Sequence, residues 1–326
     1  MTLARRHFLQ CAAVAAFASA SRQVRAEAWP SRIVRLEVGF PPGGGMDAAG
    51  RIVANRLSEV WGQQMIVENR PGAGGRIALD ALAHAMPDGY TILIAAGAPA
   101  VSGLLFDALS FDPVNDFAPV SLIGTYPSVI VVPNASPAKT LADFIGYAKA
   151  NPGKVSWASP GIGSIPHLAG ELFKRKAGIE MTHVPYRGVA AGAMTDLIAG
   201  RLDAMFNTTA SLLQPVRANL VRGLAVTSAE RFPTAPEIPT AAESGVPGYD
   251  ATSWYALYVP AHTPPEIIRR ISADTVAMLG ETAIKQKYQD LGIIAAGSSP
   301  GQLAAMNRVD VERWAPIIEE AGIKGE

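Results

Sequence analysis

Residues 33–40, Ile-Val-Arg-Leu-Glu-Val-Gly-Phe, put Val34, Leu36, Val38 and Phe40 on one face with a period of two. The chain then switches to a helical period. Asp47 is placed to cap a helix in which Val53, Leu57, Val60 and Trp61 recur at i, i+4, i+7 and i+8, and Gly62 ends it. Between strand and helix lies only Pro41-Pro42-Gly43-Gly44-Gly45. The same alternation continues through a strand at 65–68, a Gly-rich turn at 69–75, a helix to about Met86 and a strand at 91–95. Strand–helix–strand units on such short connections predict a parallel sheet with helices on both faces, an α/β fold.

A second series follows. Apolar runs at 119–123 and 128–132 read as strands, and Thr140 with Asp143 three residues on forms a capping box for a helix. Strands are then predicted at 154–158, 181–184, 202–206 and 222–227, with helices at 166–177, 189–199 and 211–218 between them. Residues 231–250, rich in Pro and Gly, read as an irregular connection. A strand at 254–259 and mainly helical sequence close the chain. Two β-α-β series with a return segment predict two lobes: 27–128 and 254–326 make the first, and 129–253 the second. A cleft between such lobes gathers helix N-termini and is the expected binding place.

Residues 1–26 read as a cleaved export signal. Arg5 and Arg6 precede an apolar stretch from Cys11 to Ala20, and Arg5-Arg6-His7-Phe8-Leu9 resembles the twin-arginine signature. The apolar stretch is too short to span a bilayer. Loss of residues 1–26 removes Arg5, Arg6, Arg22 and Arg25 but no acid, so 24 basic residues face 28 acidic ones, a net charge of −4. A net negative chain argues against a nucleic-acid partner. It also means that an anionic ligand must be attracted locally. Cys11, the one cysteine, lies in the signal, which excludes disulfides and thiolate metal sites from the mature chain.

The loop Phe40-Pro41-Pro42-Gly43-Gly44-Gly45-Met46-Asp47 runs into a helix start. Bare glycine N–H groups backed by the positive end of a helix dipole suit a carboxylate. The Gly-Lys-Ser/Thr ending of a nucleotide loop is missing. Ser159-Pro160-Gly161-Ile162-Gly163-Ser164-Ile165-Pro166-His167 repeats the arrangement in the second series. Asn207-Thr208-Thr209 and Pro185-Tyr186-Arg187-Gly188 follow predicted strands and are placed to line the same cleft. Each of these segments also has a plain structural use, as a capped helix start or a solvated loop.

Catalytic patterns are weak. Ser136-Pro137-Ala138-Lys139 matches Ser-x-x-Lys but lies in a Pro-rich loop with no companion motif. No Gly-x-Ser-x-Gly elbow occurs, and His84, His167, His183 and His262 are scattered without metal-ligand spacing. No cofactor motif is found, and the chain reads as a binding protein, not an enzyme.

With these segments in view, the chain resembles the Bug-type extracytoplasmic solute receptors of tripartite tricarboxylate transporters. The likeness runs in order through Trp29-Pro30, Phe40 to Gly45 with Asp47, Glu68-Asn69-Arg70-Pro71-Gly72-Ala73-Gly74-Gly75 and Pro87-Asp88-Gly89-Tyr90-Thr91. It continues in Asp116 to Val120, Ser159 to Ser164, Pro185 to Gly188, Leu224 to Ser228, Ile238-Pro239-Thr240 and Glu243. The resemblance implies a type II-like two-lobe periplasmic binding protein that closes on a dicarboxylic, tricarboxylic or aromatic acid and delivers it, as a monomer, to membrane permease subunits. Carried onto this sequence, Phe40, Gly44, Gly45, Met46, Asp47, Ser159, Gly161, Gly163 and Ser164 would form the carboxylate grip, and Asn207 and Thr208 would extend its wall. Met46 stands where Thr is common in the family, Ala96 to Val101 lacks a frequent Asn, and Ala256 replaces a frequent Gly. These departures predict a ligand with one well-held carboxylate and an apolar or aromatic body. Alternative readings are a ligand-binding partner of a signalling system and, less well supported, a secreted hydrolase.

Overall fold

The computed structural model describes residues 29–106, 108–187 and 192–325. The predicted export signal, Gly188 and the first residues of the helix predicted at 189–199 lie outside these. Residues 29–31 form no regular element, and the Trp29–Pro30 bond is cis.

Among the described residues of the remainder, eleven strands form two mixed sheets. In the first sheet, β1 (Val34–Val38) lies between β2 (Met65–Asn69) and β3 (Thr91–Ala96), all parallel. Val34, Leu36 and Val38 are fully buried as expected, but Glu37, paired with Arg70, is buried as well, and Phe40 lies beyond the strand. The helix α1 (Gly45–Trp61) joins β1 to β2, buries Ala49, Val53, Leu57 and Trp61, and stops at Gly62 in the left-handed conformation. A single 3₁₀ turn at Ala73–Gly75 leads into α2 (Arg76–Ala83), which returns the chain to β3.

The rest of this sheet departs from the expected parallel arrangement. After the 3₁₀ turn at Pro99–Val101 and the short α3 (Ser102–Leu105), β4 (Phe117–Tyr126) joins the sheet. Beyond β3 the order continues with β10 (Ser253–Pro260), β4 and the two-residue β11 (Ile294–Ala295), each antiparallel to its neighbour. The central strand β10 arrives from the far end of the other sheet, so it enters in the opposite direction.

The second sheet has the order β7 (Met181–Pro185), β6 (Val155–Ser159), β8 (Ala204–Thr208), β5 (Ser128–Pro133) and β9 (Val221–Val226). Again three parallel strands, β7-β6-β8, are followed by antiparallel ones, β5 and β9. Its helices are α4 (Leu141–Ala150), α5 (Ile165–Ala177), α6 (Met194–Ile198) and α7 (Thr209–Arg217). Thr140 and Asp143 form the predicted capping box on α4. Strand β8 runs two residues further than expected, so Asn207 and Thr208 are the end of a strand and not a loop.

Two connections join the sheets: Pro127 between β4 and β5, and the irregular stretch from β9 to β10. The latter is tied down by buried groups; Tyr249 donates from its hydroxyl to the Ala169 carbonyl at 2.8 Å. Helices α8 (Pro265–Gly280), α9 (Thr282–Asp290) and α10 (Pro300–Glu320) complete the chain. The last packs on both β4 and α5, and one apolar cluster includes Leu93 and Trp314 together with Trp157 and Phe206 of the second sheet and Phe173 of α5. No helix among the described residues is long and apolar enough to cross a membrane.

Candidate functional site

The carboxyl ends of β1 and β3 and those of β6 and β8 face one another across the molecule, and the two Gly-rich loops meet there. In the first loop the geometry is set from below by Asp47, which is almost fully buried. Its Oδ2 accepts from the Gly43 N–H at 3.0 Å and from Arg51 Nε at 2.9 Å. Its Oδ1 accepts from Arg51 Nη2 and Asn69 Nδ2, both at 3.0 Å. Asn69 also donates to the Phe40 carbonyl at 2.9 Å, so the end of β2 fixes both ends of the loop. Burial acts to raise the Asp47 pKa, but the hydrogen bonds from Arg51, Gly43 and Asn69 and the Arg51 charge outweigh it and hold the carboxyl below its ordinary range. Asp47 is therefore an anionic brace. It leaves the first-turn amides of α1, which by helical geometry have no acceptor within the helix, at the cleft.

The second loop is built differently. Ser159 Oγ accepts from the Gly161 N–H at 3.2 Å and lies 2.7 Å from His183 Nε2. Ser164 Oγ donates to the Gly161 carbonyl at 2.7 Å, and the Ser164 N–H donates to the same carbonyl at 3.2 Å. The Gly163 N–H donates to His167 Nδ1 at 3.1 Å. Both serine hydroxyls and these amides are engaged inside the loop. Beneath it, His167 and His183 stack with ring centroids 4.0 Å apart and lie against Trp157. Burial lowers the His167 pKa to about 3, with the charges of His183 and Lys174 adding to it, and burial with Lys174 lowers that of His183 to about 4. Both rings are neutral at pH 7, as the acceptor role of His167 Nδ1 requires.

The first loop touches the start of α7, and the Gly-rich turn before α2 touches the second loop. The Gly45 N–H donates to Ser211 Oγ at 3.4 Å, and a Cβ on Gly45 would come within 2.5 Å of the Ala210 Cβ and 3.0 Å of Thr208 Oγ1. Gly74, in the left-handed conformation, lies so near the Ile162 carbonyl that a side chain there would collide with it.

Two recesses flank this contact. One encloses about 520 Å³ and is lined by Gly44, Gly45, Asn207, Thr208, Ser211 and the paired Tyr126 and Tyr255, among others. The tyrosine rings lie 4.2 Å apart, and burial raises the pKa of both hydroxyls, so they remain protonated. The other encloses about 650 Å³ and is lined by Ala73 to Arg76, Ala95 to Pro99 and Ile162 to Ile165, among others. Phe40, Met46, Ala96 and Ile165 belong to both walls. The Gly97–Ala98 segment of the second recess is held by buried Asp310, which accepts from the Ala98 N–H at 2.9 Å and from Trp314 Nε1 at 3.0 Å. Burial raises the Asp310 pKa, against those hydrogen bonds and the Arg313 charge.

Of the residues singled out in the sequence, Phe40, Gly44, Gly45, Met46, Asn207 and Thr208 line the first recess, and Phe40, Met46, Gly163 and Ser164 line the second. Gly161 and exposed Arg187 border a third recess with Pro160 and Tyr186. Asp47 and Ser159 line none of these. Sequence reading missed Tyr126 and Tyr255, which look like ordinary strand core, as well as Ser211 and Arg76. The neutral hydroxyls, one amide side chain and helix-start N–H groups form a surface of uncharged hydrogen-bonding groups. Among the described residues no cluster of His, Cys, Asp and Glu is arranged to hold a metal ion.

Residues 49–323 match the family described as "Tripartite tricarboxylate transporter family receptor". A protein of Pseudomonas sp. (strain P51), named for the tcbD-tcbE intergenic region, is 40% identical over 319 residues, covering 98% of this chain and 95% of its own. Among solved structures, R. palustris Rpa4515 with adipate superposes with a TM-score of 0.86 at 35% identity, covering 91% of this chain and 99% of that one. The periplasmic binding protein BugD superposes with a TM-score of 0.85 at 30% identity, again covering 91% and 99%.

Proposed function

Because the chain belongs to the tripartite tricarboxylate transporter receptor family, whose members are periplasmic solute receptors and not enzymes, we propose that it captures a small carboxylate and presents it to the membrane permease subunits of such a transporter. The observation that carries this reading is the cleft itself. Helix-start N–H groups of α1 face Asn207, Thr208 and Ser211 from the other sheet, and no acidic side chain lines the recess between them. In a chain that is net negative after residue 26, attraction for an anion arises at this place, where dipoles and hydroxyls converge.

Residues 27–128 and 254–326 act as one lobe and 129–253 as the other, and the segments around Pro127 and before Ser253 carry the hinge. The ligand favours the closed form because only there do both loops touch it. Gly44, Gly45, Asn207 and Thr208 contact the carboxylate end directly, and Phe40 and Met46 touch the ligand body beside it. Asp47, Ser159, Gly161, Gly163 and Ser164 shape the two jaws. The protein acts as a monomer, since one copy carries both jaws, and it reaches the periplasm through a cleaved signal.

Native mass spectrometry of the mature chain, purified without refolding, tests the reading. A retained small acid, lost on dialysis and restored with a rise in melting temperature, is the expected result. A chain whose melting temperature responds to no carboxylate contradicts it. Loss of acid uptake on deletion of the receptor separates transport from service to a signalling partner.

A further inference from the structure

Arg76, the first residue of α2, follows the Gly-rich turn and lines the larger recess, where it is the one charged side chain among the described lining residues. Its Nε is buried without a hydrogen-bond partner. Arg51 is committed to Asp47, and Arg70 to Glu37 and Glu68. Among the described residues Arg76 has no ion pair; its guanidinium stands over the Phe106 ring, 5.0 Å from the centroid. An unsatisfied buried donor on a cation is costly unless something supplies an acceptor. The planar fork of a guanidinium matches a carboxylate in particular.

The recess that holds Arg76 shares the wall of Phe40, Met46, Ala96 and Ile165 with the recess at the start of α1. A molecule filling both would have its first carboxylate at Gly44, Gly45 and Thr208, an apolar middle against Phe40, Met46 and Ile165, and its far end at Arg76. We infer that Arg76 recognises a second carboxylate, so that the preferred ligand is a diacid whose acid groups are joined by an apolar linker. This rests on the receptor reading and specifies its ligand. It keeps the apolar body expected from Met46 and replaces the expectation of a single acid group.

Calorimetric titration of the mature chain with matched pairs of acids tests this: succinate against butyrate, glutarate against valerate, adipate against hexanoate, and suberate against octanoate. Wild type is expected to prefer at least one diacid over its monoacid by about ten- to a hundredfold, the range for a hydrogen bond to a charged group. Arg76→Gln erases that preference without weakening the monoacid, and Arg76→Glu favours ε-aminocaproate over adipate. Arg76→Lys, which keeps the charge and loses the fork, weakens the diacid less than Arg76→Gln does. Melting curves without ligand identify any variant that fails to fold, and the remaining ones decide. A diacid preference that persists in Arg76→Gln, or a wild type that prefers monoacids, overturns the role of Arg76 while the receptor reading stands. A folded wild type that binds none of these acids removes the diacid assignment, and one whose melting temperature responds to no carboxylate removes both.

Discussion

The two Gly-rich loops have the same recipe, a strand end, glycines, a hydroxyl or carboxylate and a helix, yet they are held in opposite ways. The first is braced from outside by Asp47 and Asn69, which leaves the start of α1 open to the cleft. The second is closed on itself, its serines and amides bonded within the loop and to His167, with His183 beside Ser159. The first loop sends its Gly45 N–H outward to Ser211 on the other side of the cleft, whereas the second satisfies its own groups. A sequence motif shared by two loops therefore does not carry a shared role; the side chains beneath the loop decide which hydrogen-bonding groups remain for a ligand.

Removing the brace should have the largest effect. Asp47→Ala leaves the Gly43 N–H, Asn69 and half-exposed Arg51 without their acceptor. The expected loss is about 2–3 kcal/mol of unfolding free energy, measured in denaturant, together with most of the affinity for acids. Ser159→Ala, made in the self-closed loop, should cost about 1 kcal/mol. Equal effects of the two substitutions would erase the distinction between the loops.

Gly45→Ala comes next. The φ of Gly45 is not in the left-handed region, so a methyl group there is tolerated by the backbone, but it would come within 2.5 Å of the Ala210 Cβ. Affinity for any acid ligand should fall by about tenfold or more, from overpacking of about 1–3 kcal/mol that acts only on the closed form. The melting temperature without ligand should change little. A parallel loss of unliganded stability would mean that this contact maintains the fold and does not gate closure.

Acidification gives the smallest and most graded comparison. His167 and His183 titrate near 3 and 4 when folded, against an ordinary 6.5 when unfolded. Below pH 6.5 the unfolded chain therefore binds more protons, and stability falls with decreasing pH until the folded rings titrate. The slope is at most about 1.4 kcal/mol per pH unit for each ring. Glu171 Oε1, 4.0 Å from His167 Nε2, favours the protonated ring, whereas Lys174 opposes it. Asp47, whose pKa is lowered, loses stabilising effect only as pH falls below its ordinary 3.8. Denaturant titrations between pH 7 and 4.5 should thus sense the second loop, opposed by buried Asp310 and Glu37, whose raised pKa values make stability rise as pH falls, and His167→Gln with His183→Gln should remove the falling component. An unchanged slope in that double variant would place the sensitivity elsewhere.

The legible parts of the fold were those fixed by local pattern: the apolar face of β1, the apolar stripe of α1 and its stop at Gly62, and the capping box at Thr140 and Asp143. Strand direction was not legible. Whether β5 and β10 run parallel or antiparallel depends on which sheet the chain is leaving, and no residue in either strand records that. Helix α9 buries only Ile284 and Tyr288, too few for a periodic signal. In the site, the glycines marked both loops, but the hydroxyls of Ser159 and Ser164 looked free in sequence and are bonded inward in the fold. Tyr126 and Tyr255 sit in apolar strands, and Arg76 follows a motif without belonging to it, so nothing local distinguished them.

The most direct test of the account is whether ligand brings the two loops together. The chain after residue 26 contains no cysteine, so paired labels at Glu59→Cys on α1 and Lys149→Cys on α4, both exposed, report the distance between the lobes. Addition of a bound acid should shift the distance distribution to a single closed population in wild type, and Gly45→Ala should remain open at the same acid concentration. Binding with an unchanged distance distribution would contradict closure as the basis of capture.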